Sequence, residues 1–524
     1  MSTQGCGRFF PVRIFESSRP DIVIEDCSIT DFALRDAERL GDKAAFIDST
    51  NGRSMSYAEL SDRIRRLAGG LKAQGAGPGT TWALMGPNIP EYAVAFHGLA
   101  YAGATVTTLN PTYGAVEIGH QLRDSKATAI ITTQAFLATA REAAKACGVE
   151  HIYLLDDGDA PLLSSLEGEP LAQQVPVDYA AHVVALPYSS GTTGFPKGVM
   201  LTHRNLVANL CQARPFFELG EDDVCFAVLP FFHIYGMQVL MNMALGHGAT
   251  VVTAPRFDLI KMLELVQEQR ITRLFLVPPI VLALAKQPIV DNYDMSSVKQ
   301  IYSGAAPLPE EVASAAAKRL GCGIGQGYGL TETSPVLTTT DTKNYRGGSV
   351  GTVIPNTQIR LVDPETGEDA ESGERGELWA RGPQVTGGYF GNAGATAATI
   401  DDDGWLHTGD VAIADDEGHF YIVDRLKELI KVNGFQVAPA ELEARLLQHE
   451  SIVDAAVIGI PDDEAGERPK GFIVIAPGAT LDAQSVITFA AENLVSYKEL
   501  AVVEFIDAIP KSASGKILRR QLRD

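Results

Sequence analysis

Apolar residues recur every three or four positions in SYAELSDRIRRLAGGLKAQG (56–75), which puts Leu60, Ile64, Leu67 and Leu71 on one helical face. Ser56 followed by Glu59 reads as the capping box that starts this helix. Short β-branched runs alternate with such patterns: ATVTTL (104–109), ATAIIT (127–132) and HIYLL (151–155). A second series runs from HVVALPY (182–188) through ATVVTA (249–254) and RLFLVPP (273–279) to about Gly329. This alternation predicts two parallel-sheet α/β units with ligands near the carboxyl ends of their strands. From Gly348 to Val423 the pattern becomes short strands between Gly, Pro and Asp turns, which predicts a small β-rich unit. Beyond Asp424, APAELEARLLQH (438–449) reads as a helix with Pro439 in its first turn and Leu442, Leu446 and Leu447 facing inward. DAAVIGI (454–460), GFIVIA (471–476), SVITFAAENLVSY (485–497) and AVVEFID (501–507) complete an α+β unit. The fold class is thus α/β, with a small α+β unit at the C-terminal end.

Composition narrows the function. The chain has 524 residues, enough for several domains, and its 45% hydrophobic and 21% charged residues are those of a globular protein. A formal charge of −22 argues against nucleic acid and anionic membrane as partners, yet leaves room for phosphate bound by a local loop. Cys6, Cys27, Cys147, Cys211, Cys225 and Cys322 form no CxxC pair, which argues against structural zinc and disulfide stapling. There is no signal-peptide pattern, no membrane-length apolar run and no peroxisomal address, so a cytoplasmic location is expected.

Chemistry concentrates in YSSGTTGFPKGVMLTH (188–203). Gly191, Gly194 and Gly198 let the backbone approach a ligand, while Ser189, Ser190, Thr192 and Thr193 offer hydroxyls and Lys197 a positive charge. Lys197 is followed by Gly198 rather than Ser or Thr, so this is not a Walker loop. A plain surface loop would also be glycine- and hydroxyl-rich; the Pro196-Lys197-Gly198 ending favours a phosphate cradle. GCGIGQGYG (321–329) does not fit GxGxxG, and no GxSxG elbow occurs, so nicotinamide binding and a hydrolase triad are both disfavoured. The runs DDDG (401–404) and DDEG (415–418) lack calcium-loop spacing and read as turns.

The segments 189–198, GYGLTETSP (327–335), GWLHTGD (404–410), YIVDRLKELIKVNGFQVAPAELE (421–443) and PKSASGKILRRQL (510–522) resemble, in order, the motifs of the acyl-adenylate-forming superfamily. PFFHIYG (230–236) and YSGAAPL (302–308) are most similar to 4-coumarate–CoA ligases and their bacterial relatives. The resemblance implies ATP, Mg²⁺ and coenzyme A as reactants or cofactors. A carboxylate would attack the α-phosphate of ATP, pyrophosphate would leave, and the acyl-AMP would then accept a thiol. It further implies an N-terminal domain at 1–424 and a mobile domain at 425–524, hinged near Lys427.

On the same resemblance, Ser189, Ser190, Gly191, Thr192, Thr193, Gly194 and Lys197 would hold the β- and γ-phosphates. Ala305, Gln326, Gly327 and Tyr328 would pack around adenine and the acyl group. Thr331 would contact the α-phosphate, Glu332 would ligate Mg²⁺, and Asp410 and Arg425 would bind the ribose. Lys516 would reach the reacting oxygens during adenylation; without the motif, KILRRQLR would read as a solvated basic tail. His233 would gate the carboxylate pocket, although a lone histidine in an apolar run is ordinarily a core residue. Lys431 and Gln436 would serve the adenylate or thioester site, the strand near Gly434 would line the pantetheine tunnel after the domain turns, and Arg256 would meet the phosphates of CoA. Asn433 departs from the family, which has Lys there. The acyl pocket would use Ile234, Tyr235, Gly236, Ser303, Gly304, Gly327, Pro335, Val336 and Leu337. These favour a 4-coumarate-type acid over a medium- or long-chain fatty acid. Rival readings are a carrier-protein-loading adenylation enzyme, a luciferase-like oxygenase and a non-catalytic binding protein.

Overall fold

The computed structural model describes residues 12–189, 196–342, 345–462, 464–492, 494–512 and 515–523. The amphipathic segment Tyr57–Ala73 is a helix whose Ser56 cap accepts from the Glu59 amide at 3.1 Å, and Leu60, Ile64, Leu67 and Leu71 are buried. It packs beside the helix Pro90–Tyr101, which in turn lies against a six-stranded sheet. That sheet runs Leu201–Thr202, Val183–Ala185, Thr105–Leu109, Thr81–Met85, Ala127–Thr132, His151–Leu154, and is parallel except at its first pair.

A nine-stranded sheet holds the second series. Its central strands Gln300–Ser303, Arg273–Leu276, Val224–Ala227 and Thr250–Thr253 are parallel, and both faces are covered. Sheet membership does not follow chain order. Ala44–Asp48, which precedes every strand of the first sheet, pairs parallel with Thr250–Thr253 in the second. Val183–Ala185, which opens the second series, instead extends the first sheet beside Thr105–Leu109. An apolar run specifies a buried strand without specifying its neighbour.

The β-rich unit is a five-stranded antiparallel sheet of Phe15–Glu16, Gln358–Val362, Gly376–Arg381, Leu406–Ala414 and Phe420–Arg425. Its first strand comes from the N-terminal end of the chain. The C-terminal unit has its own core, including Leu442, Leu446, Val457, Ile473 and Val486, between helices and a sheet built on Ile452–Asp462 and Gly466–Ile475. Leu447 is only half-buried, whereas Glu443 is buried. Glu443 can turn inward because Arg519 meets its carboxylate with two hydrogen bonds, 2.7 and 2.9 Å, and Val457 N–H donates a third. Among the described residues, no helix is long and apolar enough to cross a membrane.

Candidate active site

Loops leaving the carboxyl ends of the nine-stranded sheet meet the β-rich and C-terminal units around one cavity of about 830 Å³. The arrangement is that expected of a ligand site in an open parallel sheet. At one side, Tyr188–Ser189 and Lys197–Gly198 pair as a two-stranded ribbon, with Ser189 opposite Lys197. The loop between them contains Ser190, Gly191, Thr192, Thr193 and Gly194, which lie outside the described residues. Ser189 Oγ donates to Glu332 Oε1 at 2.8 Å, and Tyr389 Oη donates to the same oxygen at 2.9 Å. Lys197 Nζ stands 5.1 Å from the centre of the Tyr389 ring. Burial and the Glu332 carboxylate push the Tyr389 phenol up, so it remains a donor at neutral pH. Phe390 N–H donates to Gly198 O and Met200 N–H to Gly388 O, which fastens the tyrosine segment to the ribbon's exit.

Next to this lies a second preformed corner. Asp410 and Arg425 stand opposite one another on adjacent antiparallel strands, and Arg425 Nε lies 3.1 Å from Asp410 Oδ1. Tyr328 Oη donates to Asp410 Oδ2 at 2.7 Å. Burial, then the Asp410 charge, holds the Tyr328 phenol well above its usual range. Tyr328, Arg425 and Thr331 line the cavity, while Asp410 sits just behind them.

Lys516 enters from the C-terminal unit. Its amide donates to Ser512 Oγ at 3.1 Å and its carbonyl accepts from Ser512 N–H at 2.8 Å, closing a tight loop in which Gly515 adopts φ 81°. Burial, reinforced by Arg425, lowers the Lys516 ammonium to about 8. Across the cavity, burial and then Lys516 lower His233 to about 4, so its imidazole is neutral at pH 7. His233 Nδ1 accepts from Tyr235 N–H at 3.3 Å.

The apolar side is formed by Ile234, Tyr235, Gly304, Pro335 and Val336 as expected, with Phe217, Val239 and Tyr302 in addition. Phe217 meets Tyr302 edge-on at 4.6 Å, and Phe275 stacks on Tyr302 at 5.6 Å, making an aromatic wall. A Cβ on Gly304 would fall 2.9 Å from the Tyr235 ring, so glycine makes room for that tyrosine. Ser303 lines the cavity with a buried hydroxyl that has no hydrogen-bond partner among the described residues. Ala305 also lines it, held at φ 70°, a conformation rare for alanine and common where geometry serves a ligand. Gly327 and Lys427 complete the expected set that faces the cavity.

Several expected positions do not face it. Gln326 is buried, and its side chain bonds Leu308 N–H and O, which pins the loop after Ala305. Leu337 lies in the core of the β-rich unit. At Gly236 an added Cβ would fall 2.1 Å from Pro230 O, so the glycine permits backbone contact where a wide π-helical turn, Gly236–Met243, begins. Lys431, Gly434 and Gln436 belong to the hairpin Ile430–Val437, away from the cavity. Gly434 has nothing near its would-be Cβ; with Asn433 at φ 50° and Gly434 at φ 83°, the turn itself requires it. Arg256 is exposed and borders a different cavity, with Arg53 and Asp156. Conversely, Tyr389, Phe217, Val239 and Tyr302 were not anticipated. Tyr389 carries one signal, an aromatic after two glycines in GGYF; Tyr302 carries another, as the first residue of YSGAAPL, while Phe217 and Val239 look like ordinary core residues in sequence.

Glu332 Oε1 is occupied by two hydroxyl donors and the carboxylate faces the phosphate ribbon, an arrangement that fits Mg²⁺. That ion is usually held by one or two carboxylates with substrate phosphates and water rather than by a protein cage. No cluster of three metal-ligating side chains occurs among the described residues.

Comparison with known proteins agrees with this geometry. Residues 34–390 match the model for AMP-binding enzymes and residues 441–516 that for the AMP-binding enzyme C-terminal domain. The chain is 41% identical to 4-coumarate–CoA ligase 1 of Petroselinum crispum over 97% of its length and 96% of the relative's. It is 42% identical to 4-coumarate–CoA ligase 5 of Oryza sativa subsp. japonica, covering 97% of both. Among solved structures, the anthranilate CoA ligase AuaEII in complex with anthranoyl-AMP superposes with a TM-score of 0.89 at 26% identity, covering 96% of this chain and 97% of that one. ATP-bound MatB from Rhodopseudomonas palustris gives 0.85 at 30% identity, covering 95% and 98%. Such CoA ligases use ATP, Mg²⁺ and coenzyme A. The chain belongs to the AMP-binding enzyme family, as an ATP-dependent acid–CoA ligase of the acyl-CoA synthetase kind.

Proposed function

We propose that the acid activated by this enzyme is 4-coumarate or a related hydroxycinnamic or aryl acid, and that the reaction takes place in the cytoplasm. The observation that carries the choice of acid is the aromatic wall of Phe217 and Tyr302 behind Tyr235, with the unpartnered Ser303 hydroxyl among them. Flat walls suit a planar ring, and a buried hydroxyl suits a polar ring substituent. The relatives named as 4-coumarate–CoA ligases support the same acid.

In the roles we assign, Lys197 and Ser189 hold the terminal phosphates together with Ser190 to Gly194, and Thr331 contacts the α-phosphate. Asp410 and Arg425 take the ribose hydroxyls, since a carboxylate accepts and a guanidinium donates. Glu332 presents its carboxylate to Mg²⁺, which when bound neutralises phosphate charge. Lys516 places its cation where negative charge gathers as the carboxylate oxygen bonds to the α-phosphorus and pyrophosphate departs. His233, neutral and hydrogen-bonded by its own backbone neighbour, separates the carboxylate from the path by which the CoA thiol arrives. That thiol then attacks the acyl carbon and AMP leaves. Residues 425–524 act as the mobile domain, hinged near Lys427, so that Lys516 withdraws for this second step. Lys431, Gly434 and Gln436 come to the cavity only then, and Arg256 meets the CoA phosphates outside it. The deciding experiment is ATP–pyrophosphate exchange over a panel of acids, repeated with CoA. Hydroxycinnamates should give the largest kcat/KM; preference for medium- or long-chain fatty acids would overturn this choice of substrate.

A further inference from the structure

The helix Pro439–Leu447 belongs to the C-terminal unit, yet both of its ends are held by residues that precede Lys427. At its N-terminal end, Asp424 Oδ2 accepts from Ala440 N–H at 2.9 Å, and Asp424 is buried at the end of the β-rich sheet. At its C-terminal end, Lys286 Nζ donates to Leu447 O at 3.0 Å. Lys286 is itself the last residue of the helix Pro278–Lys286 against the nine-stranded sheet. Gln448 Nε2 adds a bond to Glu311 Oε1, at the start of the neighbouring helix, at 3.0 Å. The signs are complementary: an anion meets the end of free N–H groups and a cation the end of free carbonyls.

This grip reaches the cavity through few links. Glu443, midway along the helix, is bonded twice by Arg519, and Arg519 lies three residues beyond Lys516. Arg519 Nε also donates to Val457 O at 3.2 Å. Hydrogen bonds through Glu443, Val457 and Arg519 thus tie the helix Pro439–Leu447 and the strand Ile452–Asp462 to the segment that carries Lys516.

We propose that Lys286 and Asp424 are positioning residues of the activation step, gripping the two ends of helix Pro439–Leu447 so that Lys516 stands in the cavity. Neither touches the reactants. The inference rests on the role proposed for Lys516, and any movement about Lys427 must break both grips. Asp424 is buried, so replacing it would disturb the sheet it ends, whereas the Lys286 contact is exposed; Lys286 is therefore the residue to change. Lys286→Ala should lower ATP–pyrophosphate exchange about two- to fivefold, the scale of a charge at a helix end, and Lys286→Glu should lower it further. Thioester formation from supplied acyl-AMP should hold its rate or rise, Lys286→Arg should restore exchange, and the melting temperature should stay within a few degrees. In the Lys516→Ala background Lys286→Glu should produce no further loss, because it acts through that lysine. Equal losses in both half-reactions, or losses that multiply in the double variant, would overturn the clamp. So would unchanged exchange in Lys286→Glu while Lys516→Ala is crippled. If Lys516→Ala itself exchanged normally, the role of Lys516 would fall first and the clamp with it.

Discussion

The nucleotide side and the acyl side of the cavity are built on opposite plans. On the nucleotide side the acidic groups are already engaged: Glu332 by Ser189 and Tyr389, Asp410 by Arg425 and Tyr328. On the acyl side the walls are ring against ring; the buried Tyr302 hydroxyl donates to Phe216 O, and the buried Ser303 hydroxyl has no partner among the described residues. Preorganised dipoles stabilise charge because they need not reorient when it appears. An apolar wall discriminates by volume, and a lone hydroxyl by whether the ligand can answer it. Catalysis and choice of acid are therefore separable by mutation, and four changes test this.

The largest effect should come from Lys516→Ala, a loss of about 10²–10³ in pyrophosphate exchange with thioester formation from acyl-AMP largely spared. Equal loss in the two half-reactions would break the assignment. The same lysine sets a pH limb. The ammonium is the active form and burial lowers it to about 8, so kcat/KM for adenylation should be full below that value. It should then fall about tenfold per pH unit above it. A profile flat to pH 9.5 would mean that the amine is not buried in the free enzyme.

Gly304→Ala comes second. The new methyl would press on Tyr235 from 2.9 Å, and overpacking of about 1–3 kcal/mol should cost tenfold or more in kcat/KM for aryl acids. KM for ATP should barely move; a matching rise there would show that the two sides are not separate. Tyr389→Phe should act on the other side alone. Removing one of two donors to Glu332 should raise the Mg²⁺ concentration for half-maximal exchange about three- to tenfold, with the ranking of acids unchanged. A changed ranking with unchanged Mg²⁺ dependence would argue against that tyrosine's place in the phosphate corner. Ser303→Ala should be mildest: about two- to tenfold in kcat/KM for hydroxylated acids and little for unsubstituted cinnamate, the worth of one hydrogen bond. A uniform effect on both acids would mean that the hydroxyl does not face the ring substituent.

How much of this was legible in the sequence differs between the same two sides. The phosphate ribbon, Glu332, Asp410, Arg425 and Lys516 sit in short motifs dense with glycine and polar residues, whose composition is unusual for structure alone. Phe217, Val239 and Tyr302 come from a helix end, a π-helical turn and a central strand, where apolar residues are expected anyway. Nothing local marks Phe217 and Val239 as pocket walls, whereas Tyr302 opens YSGAAPL, the segment that also holds Ser303, Gly304 and Ala305. Tyr389 is intermediate: its glycine context marks a turn, but its partner Glu332 is 57 residues away.

The kinds of element, the amphipathic faces and the five motif segments can be read along the chain, because those depend on periodicity and local backbone chemistry. Packing between distant segments makes Ala44–Asp48 and Val183–Ala185 exchange sheets and turns Glu443 inward to meet Arg519. The same packing leaves Arg256, Lys431 and Gly434 outside the cavity in this arrangement. The reason is physical: periodicity fixes which face is apolar, but the partner of that face is chosen by packing between segments far apart in the chain.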